Sequence, residues 1–317
     1  MKSMKHLYWV LILLWACSET PTQEKINAQK PPLSNASQNE QAFYGQSIET
    51  ALGKMHQKMD KPKFGDWLFT HKEKEQTFLN YLNDKQTDNN ISQKWIVVLP
   101  IGTFSPKQQE IMEKTVRYLG IFYQLRTRIL PAYETNKIPA ESTRENYGVF
   151  QIHTRYVLDD LLKPKVKDSI TCLLAFTAHD LYPEPSWNFV FGQASLRERM
   201  GVWSMNRFGN PEESEESYRT CLLHTIKTAV HEAGHIFGMH HCTRYTCCMS
   251  GSNSLEESAR HPVMFCPVCT AKVGAHFQMN LVKQHQALAK FWQENGFAQE
   301  QAYYEKAGKV LSKGTSE

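Results

Sequence analysis

The chain lacks a hydrophobic run long enough to cross a bilayer as a helix. The apolar stretch from Leu7 to Ala16 is about ten residues, half of the roughly 20 that a span requires. It also lacks a basic tract interleaved with aromatics, although its formal net charge is +4, with Lys2 and Lys5 of the leader contributing to that figure. Nothing in that distribution favours a nucleic-acid partner. No segment repeats, which excludes stacked-repeat architectures. What remains is a chain of 317 residues, 41% of them hydrophobic. That is enough apolar material for one substantial folded domain with additional segments.

The densest information lies between His231 and Cys242, which reads H-E-x-x-H-x-x-G-x-x-H-C. His231 and His235, four residues apart, project from nearly the same face of a helix, close enough to share one metal ion. Neutral imidazoles suit zinc, and three protein ligands leave a fourth position open for water, as catalytic sites require. Glu232 follows the first ligand, where its carboxylate can take a proton from that water. Gly238 permits the left-handed backbone that ends the helix and turns the chain back, delivering His241 as third ligand. A bare H-E-x-x-H also occurs on ordinary surface helices. Gly238 and His241 at the required offsets, and three histidines with a glutamate around one turn, argue against that reading.

Cysteines follow at once. Cys266 and Cys269 form a C-x-x-C pair, half of a structural four-cysteine zinc site, and Cys242 with Cys247 can supply the other half. Two disulfides or core thiols are the alternatives for the same residues. Cys248 adjoins Cys247 and competes with it as a ligand. Met249 lies eight residues beyond His241, in a turn that Gly251 can complete.

This order of residues resembles the archaemetzincins, the archaelysin family of metallopeptidases within the metzincin clan; the cysteine directly after the third histidine is what carries the likeness. The resemblance extends over roughly residues 62 to 300. It implies a metzincin-like fold of the α/β (α+β) class: a mixed twisted sheet with flanking helices, a zinc helix and a four-cysteine zinc knuckle. It implies two zinc ions, one catalytic on His231, His235 and His241 and one structural on Cys242, Cys247, Cys266 and Cys269. It further implies Glu232 as the base and Met249 as the Met-turn residue, an apolar floor under the histidines, and it selects Cys247 over Cys248.

The leader carries its own information. Lys2 and Lys5 precede the apolar run, which ends in Leu14-Trp15-Ala16-Cys17, similar to a bacterial lipobox in which the peptide is cut before a cysteine that is then lipidated. An ordinary secretory signal or an uncleaved anchor are the alternatives. The expected organisation is a signal peptide over 1–16, a flexible tether over 17–45, a helical extension over 46–90 and the metalloprotease domain over 91–311. A lipid-anchored protein of the cell envelope, monomeric and acting on a peptide or protein substrate, follows as the expectation. Export brings oxidising conditions, in which cysteines usually pair. Seven cysteines remain after Cys17, an odd number. With four on zinc, Cys172 and Cys221 read as small core residues, leaving Cys248.

Pattern gives the coarse elements. Helices are expected over 46–90, with a turn at Gly65-Asp66, then a strand at 94–100 and a helix capped by Ser105 with Pro106 at its first position. A strand over 123–130, a helix over 151–162 and a strand over 169–176 follow. Trp187 to Ala194 and Gly201 to Phe208 read as paired strands, with Gly201 to Met205 the candidate edge strand that binds extended peptide. Helices at 279–292 and 299–311 close the chain. The acidic run from Glu212 to Glu216 reads as a solvated loop or a favourable start to the zinc helix. His179, near a strand end, reads as structural.

The chemistry expected is zinc-promoted hydrolysis of a peptide bond with Glu232 as general base. No tyrosine adjoins Met249, so no second acid is identified. A zinc-containing surface lipoprotein whose groove binds peptides and rarely cuts is the alternative, as is a scavenger of zinc. An intact Glu232 argues against the first, and the open three-histidine site against the second.

Overall fold

The computed structural model describes residues 33–84, 95–195 and 198–314; the leader and Cys17 lie outside the described residues. Ser37 accepts the Glu40 N–H while the Glu40 carboxylate accepts that of Ser37, a capping box that starts helix α1 (Gln38–Leu52). The helix thus begins inside the stretch that composition assigns to a tether. Its Ile48 and Leu52, one turn apart, give it an apolar face that is buried. The next 25 or so residues depart from the expected helix pair. Only α2 (Trp67–Thr70) and α3 (Phe78–Asn83, capped by Thr77) form, because Pro62 and Gly65, the latter at φ 91°, interrupt any longer helix.

From there strands and helices alternate. Strand β1 (Trp95–Ile101) is buried along nearly all its length. Helix α4 (Pro106–Tyr123) opens with a second capping box, Ser105 with Gln108, and ends at Gln124 in the left-handed conformation, so the expected strand shortens to β2 (Arg126–Ile129). β3 (Thr143–Asn146) and β4 (Val149–His153) form a hairpin. The expected helix at 151–162 is therefore strand in its first residues and a π-helical segment, Tyr156–Leu162, in its last. The β-branched Val149 and Ile152 and the aromatic Phe150 favour the sheet, where the Gln151 amide reaches the Asp180 carboxylate at 2.6 Å. β5 (Cys172–Thr177) is wholly buried, and β6 (Asp180–Tyr182), β7 (Gly192–Ser195) and β8 (Met200–Ser204) follow.

The main sheet has the order β2-β1-β5-β8-β7, parallel except for β7, which runs antiparallel to β8. β3, β4 and β6 make a smaller sheet. The mixed α/β architecture expected from sequence is present. One assignment is corrected: Gly201 to Ser204 form an interior strand, buried throughout, and the edge is Gly192–Ser195. A strand such as β8, apolar but for Ser204, whose hydroxyl donates to the His179 carbonyl, suits a position covered on both faces, whereas an edge strand borders open space.

Helix α5 (Glu215–Ile236), capped by Ser214, packs on β7 and β8, with Ile236 against Gly201 and with Ile226, Ala229, Val230 and Ala233 buried in the shared core. Glu215 and Glu216 occupy its first turn, but Glu212 caps α4 instead, accepting from Ser105 Oγ at 2.6 Å and the Lys107 N–H at 2.9 Å. The chain closes with α6 (Leu255–Arg260), α7 (Pro267–His276), α8 (Leu281–Glu294) and α9 (Ala298–Gly314). α8 and α9 lie close to the expected positions and pack on α4 around Tyr118, Phe291, Trp292 and Tyr304. Among the described residues no helix is long and apolar enough to cross a membrane.

Candidate active site

The last turns of α5 carry His231, Glu232 and His235. The helix stops at Phe237, and Gly238, at φ 81°, reverses the chain so that His241 returns toward the other two. Each imidazole is fixed through Nδ1. His231 donates to the Cys248 carbonyl at 2.8 Å, His235 to the Met239 carbonyl at 2.7 Å, and His241 to the Glu73 carboxylate at 2.9 and 3.1 Å. These oxygens can only accept, so Nδ1 carries the proton and Nε2 is left as a lone-pair donor. His231 Nε2 and His235 Nε2 stand 3.0 Å apart, and the ligating atoms of all three residues lie within 4.8 Å of one another. Burial holds His231 well below the usual imidazole range and pulls His235 down to about 3. Neutral rings with convergent lone pairs form a donor set that fits zinc with a position to spare.

Glu232 points away from that cluster's backbone into the same cleft. It is 7% exposed, and burial pushes its carboxyl up to about 8. Strand β7 passes directly over it: a Cβ placed on Gly192 would lie 2.7 Å from Glu232 Oε1. Only glycine leaves room for the carboxylate there. The cleft measures about 700 Å³. One wall is the segment from Trp187 to Ala194, the other runs from Cys248 to His261, and Trp67, Lys227 and the histidines form the rest.

Below the histidines, Met249 is fully buried against the zinc-site helix. A Cβ on Gly234 would meet Met249 Sδ at 2.5 Å, so the H-E-x-x-H spacer residue is glycine because the methionine occupies the adjacent space. The turn holding Met249 is tied on both sides: Cys242 N–H donates to the Met249 carbonyl at 2.8 Å, and Cys248 N–H to that of Met264 at 3.0 Å.

Cys242, Cys247, Cys266 and Cys269 are all buried, with sulfurs within 4.8 Å of one another. Cys242 Sγ and Cys266 Sγ stand 3.7 Å apart. Two thiolates on a tetrahedral zinc with Zn–S near 2.3 Å would be about 3.8 Å apart, so the spacing fits the metal. The Cys266 and Met249 N–H groups point at Cys247 Sγ, at 3.2 and 3.5 Å, which suits a thiolate at that position. Hydrogen bonds from its three neighbours lower the Cys242 thiol. Cys248, the competing candidate, turns the opposite way and directs its sulfur at the Lys227 carbonyl. No disulfide joins the described cysteines.

Residues 88–275 match the sequence profile of peptidase family M54. This chain belongs to peptidase family M54. Archaemetzincin-2 of Rattus norvegicus is 33% identical to it over 259 residues, covering 71% of this chain and 72% of the rat protein. Archaemetzincin-2 of Homo sapiens is 32% identical over 264 residues, 71% of each chain. A crystal structure of an archaemetzincin from Archaeoglobus fulgidus shares 28% identity and covers 56% of this chain and 99% of its own, with a TM-score of 0.44. M54 membership makes the protein a zinc metallopeptidase, a hydrolase.

In this M54 chain the structure gathers nine of the ten site residues named from the sequence into the histidine site and the four-cysteine cluster; the tenth, Cys17, lies outside the described residues. His179 stays apart: it is half-buried against Gly102 and Phe150 and does not line the cleft. Cys172 and Cys221 are buried in the core, where burial raises both thiols. Three neighbours of the site were not foreseen. Gly192 carried no motif, Lys227 is one turn before His231 and was readable by helical periodicity, and Glu73 lies too far away in sequence to give any local signal.

Proposed function

We propose that this protein hydrolyses peptide bonds with Glu232 as general base, at a site where His231, His235 and His241 hold zinc. The observation that carries this reading is the set of three Nδ1 hydrogen bonds, which turn three Nε2 atoms toward one point beside Glu232. Zinc bound there supplies Lewis acidity and brings the pKa of water down to about 7. Glu232 takes a proton from the attacking water and returns it to the leaving amine. Its buried position in the cleft, where Gly192 leaves room for the carboxylate, suits a group that must both accept and release a proton.

The substrate in this reading is an extended peptide or protein segment. β7 is the sheet's edge and borders the cleft, so backbone pairing along Gly192–Ser195 would lay a peptide across Glu232. A second zinc on Cys242, Cys247, Cys266 and Cys269 acts structurally and anchors the Met249 turn. The composition of the leader supports lipid attachment at Cys17 and a place in the cell envelope, with the membrane as the second partner; the chain in this reading acts as a monomer. The test is cleavage of a degenerate peptide library, with sites read by mass spectrometry. Zinc-dependent cuts lost in Glu232→Gln support the assignment, and equal cleavage by that variant removes Glu232 from the chemistry.

A further inference from the structure

We propose that the segment ahead of the family's matched region completes the catalytic centre, with Glu73 as the positioning residue for His241. The matched region begins at residue 88, whereas Glu73 lies upstream of it in the irregular stretch between α2 and α3. Of the three histidines, two are oriented by backbone carbonyls that belong to the site's own turns. The third has a carboxylate from 168 positions earlier. His241 needs this more than the others. It lies beyond the end of α5, on a chain with no helix to fix it.

Several contacts of the same segment converge on the loop that carries His241. The Gln76 side chain bridges both edges of that loop, donating to the Gly238 carbonyl at 2.9 Å and accepting the His240 N–H at 3.1 Å. Tyr81 O–H donates to the Phe237 carbonyl at 2.8 Å. Glu73 is itself aimed by the Trp67 indole N–H at 3.0 Å, and the Trp67 ring stands edge-on to His241 with centroids 5.0 Å apart. Trp67 is in turn fastened by its backbone N–H to the buried Glu257 at 2.9 Å. Residues 67–81 thus form a strap over the third histidine, and Trp67 reaches the wall of the cleft.

Two effects follow from a carboxylate on Nδ1. It holds the imidazole in the tautomer that leaves Nε2 free, and it makes that nitrogen a stronger donor. Loss of such a partner typically weakens metal binding about 10–100-fold.

The experiment measures zinc affinity of the histidine site by chelator competition in the full chain, with no substrate present. It therefore stands or falls separately from the peptidase reading. Glu73→Ala is expected to bind zinc at least about tenfold more weakly. Glu73→Gln, which keeps an oxygen to accept the Nδ1 proton and loses only the charge, is expected to bind zinc clearly more tightly than Glu73→Ala. In nitrogen-15 histidine spectra the His241 Nδ1 proton signal is expected to shift or vanish in Glu73→Ala, while those of His231 and His235 stay. Trp67→Phe removes the indole N–H that aims Glu73, together with part of the ring that stands against His241, and is the second variant should Glu73→Ala fail to fold; it is expected to weaken zinc measurably, by less than Glu73→Ala. Wild-type affinity in a folded Glu73→Ala, or in Trp67→Phe if that is the one that folds, overturns the proposal. So does Glu73→Gln binding as weakly as Glu73→Ala.

Discussion

Replacing Cys269 with serine should weaken zinc at the histidine site, although Cys269 touches none of the three histidines. The four buried sulfurs bracket the turn that runs from Cys242 to Met249. Within that turn the Cys248 carbonyl holds His231 at 2.8 Å, and the Met249 carbonyl takes the Cys242 N–H, also at 2.8 Å. His241 is the immediate neighbour of Cys242. Losing one thiolate therefore frees both the acceptor of the first ligand and the anchor of the third. Removal of one orienting partner of a zinc histidine costs about 10–100-fold in affinity, which corresponds to about 1.4–2.7 kcal/mol. The assay competes zinc against a calibrated chelator in wild type, Cys269→Ser, His235→Ala and the double variant, with circular dichroism to select folded protein. Subtracting the His235→Ala curve isolates the histidine site. Equal affinity of that site in folded wild type and Cys269→Ser would refute the coupling and leave the four cysteines as a staple for the C-terminal helices.

Gly192→Ala would put a methyl group 2.7 Å from Glu232 Oε1, so the carboxylate has to move; turnover should fall by an amount approaching the about 10²–10⁴-fold of lost acid–base catalysis, with zinc content unchanged. An active Gly192→Ala would show that β7 yields instead. His235→Ala should lower zinc from two ions per chain to one by elemental analysis while the fold persists; one zinc per chain in fully active wild type, with Cys266 and Cys269 oxidised, would contradict the four-cysteine assignment. Burial lowers both His224 and His285 to about 4. The unfolded chain, with imidazoles near 6.5, then takes up protons first, so their stability contribution is whole above about pH 6.5 and is lost as pH falls toward 4. His285→Gln should flatten the fall in melting temperature between pH 7 and 5, and an unchanged slope would contradict the assignment.

The catalytic run was readable from sequence because it is local: a helix, a glycine exit and a short return place three histidines within eleven residues. Ser105 with Pro106, the buried strands β1 and β5 and the last two helices were readable for the same reason. Other features depend on distant partners. Whether β7 or β8 forms the edge is decided by β5 pairing with β8, which nothing in either short strand announces. Gln151 joins a strand because Asp180 awaits it there. Spacing alone left Cys247 and Cys248 both open as ligands; in the folded turn their side chains point opposite ways. Glu73 and Gly192 reach the site only through the tertiary fold. The helix over 38–45 was hidden by a polar composition that its capping box outweighs.

We propose that Glu232 performs the proton transfers of a zinc peptidase. The most direct test is cleavage of a degenerate peptide library by wild type and Glu232→Gln, with zinc content measured in both preparations. The expected result is equal zinc and at least about a 10²–10⁴-fold loss of cleavage in the variant. Equal zinc with undiminished cleavage would contradict the claim.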